Sequence, residues 1–167
     1  MKEVVLYGKS YNVDIKIFYL WDSEITEICK EIGLLINLKY LDFSYNKITK
    51  ICKEIGKLIN LITFYLCNNK ITEICKEIDK LINLEALYLS NNNITEICKE
   101  IGNLVELKYL DLGNNNIQKT TEIFQSMQYM RRLINVIAKT NDNIPLINYI
   151  KRINKRGHEY IRRLYEL

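Results

Sequence analysis

Four strings of this chain align without a gap at an interval of 23 residues: ITEICKEIGLLINL from Ile25, ITKICKEIGKLINL from Ile48, ITEICKEIDKLINL from Ile71 and ITEICKEIGNLVEL from Ile94. A fixed period of this length confines a chain to architectures in which each copy forms the same small unit and packs on its neighbours. Between the strings lie LKYLDFSYNKI from Leu38, LITFYLCNNKI from Leu61, LEALYLSNNNI from Leu84 and LKYLDLGNNNI from Leu107. A weaker copy, IKIFYLWDSEI from Ile15, has Ser23 where the others have Asn46, Asn69, Asn92 and Asn115, so five copies stand in register.

Two periodicities alternate within each copy. Leu41 and Phe43, Phe64 and Leu66, Leu87 and Leu89, and Leu110 and Leu112 are spaced by two, which places them on one face of a short strand and turns their neighbours outward. Ile55, Leu58 and Ile59 then fall at i, i+3 and i+4, the spacing of a short helical arc with one face inward. One such coil buries too little apolar surface to offset the entropy of ordering it, so stacking must supply the rest. Stacked strands pair in parallel. Asn46, Asn69, Asn92 and Asn115 then form an internal column whose amides both donate to and accept from turn backbones, a structural role and not a catalytic one.

The pattern LxxLxLxxNxI followed by IxxI(P)xEIGxLxxL resembles the leucine-rich repeat family over residues 15–124. The 23-residue variety is similar to that of intracellular members, including Ras-pathway scaffolds and plant relatives, with Cys29, Cys52, Cys75 and Cys98 in place of the usual proline. The resemblance implies an α/β fold: a right-handed horseshoe solenoid with a short parallel sheet on the concave face, short helices or 3-10 turns on the convex face, and a helical C-terminal cap. It also implies a non-enzymatic module that binds a protein or peptide, without a cofactor.

A solenoid exposes apolar surface at both ends and needs caps. Residues 1–14, with Val4, Val5, Leu6 and Tyr7, are expected to cover the first coil, and residues 125–167 to form the other end. There LINVIAKTN from Leu133 reads as a divergent sixth copy, and Pro145 opens a helix carrying Ile147, Ile150 and Ile153. Tyr160, Ile161, Leu164 and Leu167 are candidates to close the core.

Function is expected to sit on the outward strand positions, which fall into columns. The first is Ile17, Tyr40, Thr63, Ala86 and Tyr109, and the second Tyr19, Asp42, Tyr65, Tyr88 and Asp111. Trp21, Ser44, Cys67, Ser90 and Gly113 follow, then Asp22, Tyr45, Asn68, Asn91 and Asn114. Tyr and Trp offer large contact area with a polar handle, so the candidate partner-binding residues are Tyr19, Trp21, Tyr40, Asp42, Tyr45, Tyr65, Tyr88, Tyr109 and Asp111.

The net charge of +4 hides an asymmetry: residues 1–117 hold 14 Lys+Arg against 16 Asp+Glu, and residues 118–167 hold 10 against 4. The basic segment, with Arg131, Arg132, Lys151, Arg152, Lys155, Arg156, Arg162 and Arg163, supports an alternative reading as a nucleic-acid or acidic-membrane binder. Lys30, Lys53, Lys76 and Lys99 beside Glu31, Glu54, Glu77 and Glu100 read as a solvated convex face. Stacking could bring Cys29, Cys52, Cys75 and Cys98 toward disulfide range or a shared soft metal, but small buried hydrophobes on the outer bend is the preferred reading. The single histidine, His158, has no Ser/Asp or Cys partner pattern, and no Gly-rich phosphate loop occurs. An odd count of five Cys, no bilayer-length apolar run and no signal-like start lead us to expect a cytoplasmic protein.

Overall fold

The structure, a computed structural model, describes residues 2–117 and 119–120. Strands β3 (Ile17–Tyr19), β4 (Tyr40–Asp42), β5 (Thr63–Tyr65), β6 (Ala86–Tyr88) and β8 (Tyr109–Asp111) form one parallel five-stranded sheet in that order. The register carries the repeat: Ile17, Tyr40, Thr63, Ala86 and Tyr109 lie side by side, and so do Phe18, Leu41, Phe64, Leu87 and Leu110. The chain is a right-handed solenoid whose sheet lines the concave side. A further parallel pair, β7 (Glu96–Ile97) with β9 (Lys119–Thr120), lies outside this sheet.

The convex side is built of 3-10 arcs at Lys30–Leu34, Lys53–Lys57, Lys76–Lys80 and Lys99–Asn103. Each begins after a cysteine held at φ between −64° and −68°, the backbone angle a proline would impose. Closure is by three-residue steps: in the second arc Ile55 N–H donates to Cys52 C=O at 3.2 Å, Leu58 to Ile55 at 3.0 Å and Leu61 to Leu58 at 2.9 Å. With three residues per turn, i, i+3 and i+6 share a face. Ile55, Leu58 and Leu61 are therefore fully buried, whereas Ile59, expected inward from α-helical spacing, is 48% exposed. The arcs pack tightly: a Cβ at Gly33 would lie 2.9 Å from the Glu54 carbonyl oxygen, and one at Gly56 the same distance from that of Glu77.

The core is one continuous stack of Ile and Leu columns, with Phe18, Phe43 and Phe64 at its N-terminal half. Beside it runs the asparagine ladder. The amide of Asn69 donates to the carbonyls of Phe43 (2.9 Å) and Leu66 (3.1 Å), while its oxygen accepts from Ile48 N–H at 3.0 Å. Asn92 repeats this with Leu66, Leu89 and Ile71, and Asn115 with Leu89, Leu112 and Ile94. Phe43, Leu66 and Leu89 thus each receive two successive asparagines, one from their own coil and one from the next. A second series, absent from the sequence reading, joins Asn60 to Ile36 C=O and Asn83 to Ile59 C=O at 2.9 and 2.8 Å.

Ahead of the first coil, β1 (Glu3–Leu6) and β2 (Lys9–Asn12) form a β-hairpin. Tyr7 (φ 50°) and Gly8 (φ 77°) form its two-residue loop, the left-handed pair that matches strand twist. Val4 and Leu6 face the core, and Val5 faces solvent. The Tyr7 hydroxyl donates to Glu27 C=O and accepts from Cys29 N–H, both at 3.1 Å, which pins the hairpin to the first arc. The expected sixth copy at 133–141 and the basic helical cap within 125–167 lie outside the described residues.

Removing the amide of Asn69 orphans the buried Ile48 N–H, whereas the carbonyls of Phe43 and Leu66 keep one partner each. Asn69→Ala is expected to lower stability by about 2–3 kcal/mol, read as a lower urea midpoint at unchanged slope, and the half-buried Asn115 by less. Cys52 already has proline-like φ, and no hydrogen bond found among the described residues uses its N–H, so Cys52→Pro should stabilise by about 0.5–1 kcal/mol. Cys29→Pro removes the donor to Tyr7 and should destabilise in the same thermal melt.

Candidate binding surface

An in-register parallel sheet puts side chains of one column about 4.8 Å apart, so like residues in a column must touch. Tyr65 and Tyr88 do so as a stacked pair, ring centroids 4.8 Å apart and planes 5° from parallel. They hide much of each other and are half-buried. Burial, then the neighbouring Tyr88 and Asp42, push the Tyr65 hydroxyl above its ordinary pKa, so it stays a neutral donor. Thr63 and Ala86 occupy outward positions beside them but are buried, at 8% and 6% exposure, and add little contact surface.

The open aromatic surface lies toward the N-terminal end. Tyr19 is 67% exposed and Trp21 57%, and Tyr40 and Ile17 are exposed with them. Together with Asp42 and Tyr65 they line a groove of about 450 Å³. Tyr109 is exposed on the last described strand of the sheet. The two acids of the candidate set are half-buried and engaged by their own turns: Asp42 Oδ1 accepts from Ser44 N–H at 2.8 Å and Asp111 Oδ1 from Gly113 N–H at 2.9 Å. The sequence-derived set is therefore not one uniform patch. Tyr19, Trp21 and Tyr40 cluster, Tyr65 and Tyr88 form an adjoining stack, and the aspartates shape turns.

Tyr45 belongs to a column with special backbone. Asp22, Tyr45, Asn68, Asn91 and Asn114 all have φ between 51° and 56°. Asp and Asn tolerate this left-handed conformation, while a bulky side chain adopts it at a cost of about 1–2 kcal/mol. Tyr45 nevertheless projects into solvent at 60% exposure. Ile17, which the sequence places among the outward positions but not in the candidate set, lines a second groove at the same end with Lys9 and Tyr11, which sequence reasoning overlooked. The signal for Ile17 was its place at the head of the first outward column.

All five cysteines are free thiols of intermediate burial. Ser90 Oγ donates to the Cys67 sulfur at 3.2 Å. Burial pushes each thiol up, Cys98 to about 11 and Cys75 to about 12. Among the described residues no group of three His, Cys, Asp or Glu could hold a metal ion, and no helix is long and apolar enough to cross a membrane.

Family comparisons agree with this geometry. The leucine rich repeat model matches residues 59–117 and 82–133, and a two-copy leucine rich repeat model matches 36–81. Among solved structures, a leucine-rich repeat protein of Leptospira interrogans is 36% identical with a TM-score of 0.59, covering 67% of this chain and 27% of that one. The ectodomain of BIR2 from Arabidopsis thaliana is 25% identical (TM-score 0.54), covering 60% of this chain and 55% of that one. An internalin of Listeria monocytogenes, 22% identical with a TM-score of 0.55 over 71% of this chain and 32% of its own, shares the fold. A comparison with curated proteins gives no match. The chain belongs to the leucine-rich repeat proteins, and it spans between about a quarter and a half of the length of these structures.

The thiolate is the reactive form, so a raised pKa slows alkylation at neutral pH and lets the rate keep climbing as pH rises through the folded-state value. In the native protein Cys98 should react with iodoacetamide at pH 8 on the order of a hundredfold, and Cys75 on the order of a thousandfold, more slowly than a free thiol. Their rates should still be increasing at pH 10, followed site by site with peptide mass spectrometry, and unfolding should equalise all five.

Proposed function

We propose that the chain is a non-enzymatic protein-interaction module that holds a protein or peptide on its concave face, with Tyr19, Trp21 and Tyr40 as anchors and the Tyr65–Tyr88 stack as a rigid floor. The observation that carries this reading is the groove of about 450 Å³ walled by exposed Tyr and Trp. Such residues bury large area at low entropic cost and dominate interface energetics. The stacked tyrosines present a preformed flat surface, which lowers the entropy cost of docking on them. Tyr45 supports the reading independently: it keeps an aromatic side chain in solvent where Asn would relieve the backbone. Membership of a family that typically recognises proteins agrees with it. The alternative use of the basic residues in 118–167 for nucleic acid or acidic membrane predicts binding that collapses with salt, which separates it from an aromatic interface.

The test is affinity capture with the intact chain, mass spectrometry of what is retained at 0.15 and 0.5 M salt, and titration of the purified partner. Trp21→Ala and Tyr40→Ala should each weaken that partner by tenfold or more, as anchor truncation does. Tyr65→Ala with Tyr88→Ala should do likewise while circular dichroism stays unchanged. Tyr45→Asn should raise the melting temperature and weaken binding together. Unaltered affinity across these variants with the fold intact rejects the concave face.

A further inference from the structure

Strand β3 is an edge of the five-stranded sheet, and its backbone is used on one side. Lys16 C=O accepts from Tyr40 N–H at 3.1 Å, Leu20 N–H donates to Asp42 C=O at 2.8 Å, and Asp22 N–H to Ser44 C=O at 3.1 Å. Alternate residues of a strand address opposite neighbours, so the amides and carbonyls of Ile17 and Tyr19 point away from β4. The N-terminal hairpin does not take them up, because β2 pairs with β1 alone. Between β2 and this edge lies the second groove, about 470 Å³, bounded by Lys9 and Tyr11 on one side and by Ile17, Tyr19 and Trp21 on the other.

We infer that the free edge of β3 takes up an extended, acidic segment of a partner protein as an added strand, paired backbone to backbone through Ile17 and Tyr19. Three observations select this occupant. A residue in a sheet fills a space of roughly 3.3 by 4.8 by 10 Å, so the groove holds about three residues of extended chain, the length of β3 itself. A second copy of this chain would bring its own hairpin into the same space, which favours a slim segment over another solenoid. Lys9 is the single charged side chain lining the groove, whose other lining is apolar and aromatic except for the hydroxyl of Ser23, so acidic residues alternating with apolar ones fit it. The groove shares Ile17, Tyr19 and Trp21 with the concave one, so a bound strand would continue the sheet at that surface. The inference adds a docking mode to the proposed function and does not depend on Tyr65 or Tyr88, which lie outside this groove.

The test selects displayed random linear octapeptides on the intact chain and measures the best synthetic binder by fluorescence anisotropy. Binders are expected to be acidic with alternating apolar residues and to slow amide hydrogen exchange at Ile17 and Tyr19. Ile17→Pro and Tyr19→Pro each delete one outward donor and none that faces β4, and each should weaken the peptide at least tenfold. Tyr19→Ala keeps the donor and should cost less than Tyr19→Pro. Lys9→Glu, remote from the β3 backbone, should also weaken the peptide severalfold and keeps the test decisive if a proline variant misfolds. Peptides indifferent to Lys9→Glu and to both prolines overturn the inference, even if they are lost on Tyr65→Ala with Tyr88→Ala and so leave the concave reading standing. Selection that yields no binder overturns it too, as does a dimer of the chain that Ile17→Pro dissolves.

Discussion

The fold depends on buried backbone groups at the sharp turn after each strand, which the regular sheet cannot reach. One asparagine per coil reaches them. Because each amide bridges its own coil and the one before, the hydrogen-bonding state of a turn is decided jointly by two neighbouring units. The polar ladder thereby couples the coils alongside the apolar columns beside it, and holds the register of the concave face. Where the ladder stops, so does the regularity: Ser23 in the first coil donates its N–H to the Asn46 amide oxygen but offers no amide of its own.

Much of this was legible in the residues because the repeat gave each inference several independent copies. The strand columns rest on alternation, and the structure pairs them in the register that this signal requires. The arc was harder. Apolar residues at 55, 58 and 59 fit a 3.6-residue turn, and it is the backbone chain from Cys52 through Ile55 and Leu58 to Leu61 that selects a three-residue turn and leaves Ile59 outside. Spacing alone cannot distinguish the two when a helical run is five residues long. The β7–β9 pairing, four residues in all, has no pattern of its own to read.

The surface was less legible than the core for a physical reason. Outward positions are identified by default, as whatever the core does not use, so the sequence ranks them only by residue type. It could not see that Tyr65 and Tyr88 would spend their faces on each other, that Asp42 and Asp111 would turn back onto backbone amides, or that Thr63 and Ala86 would sink between larger neighbours. Nor does Tyr45 announce a left-handed backbone until it is aligned with Asn68 and Asn91. What remains after these deductions is an aromatic concentration at one end, next to a sheet edge with unspent hydrogen bonds.

The asparagine bonds that cross coil boundaries join residues 21, 23, 24 or 26 positions apart. Duplicating or excising one whole unit inside the array would restore every one of these separations, whereas an insertion that is not a whole number of units would break those that span it. Copy number is therefore the cheapest variable open to genetic change in such a chain. Lengthening the array would carry its far end away from the hairpin and the aromatic groove while leaving that end of the molecule untouched.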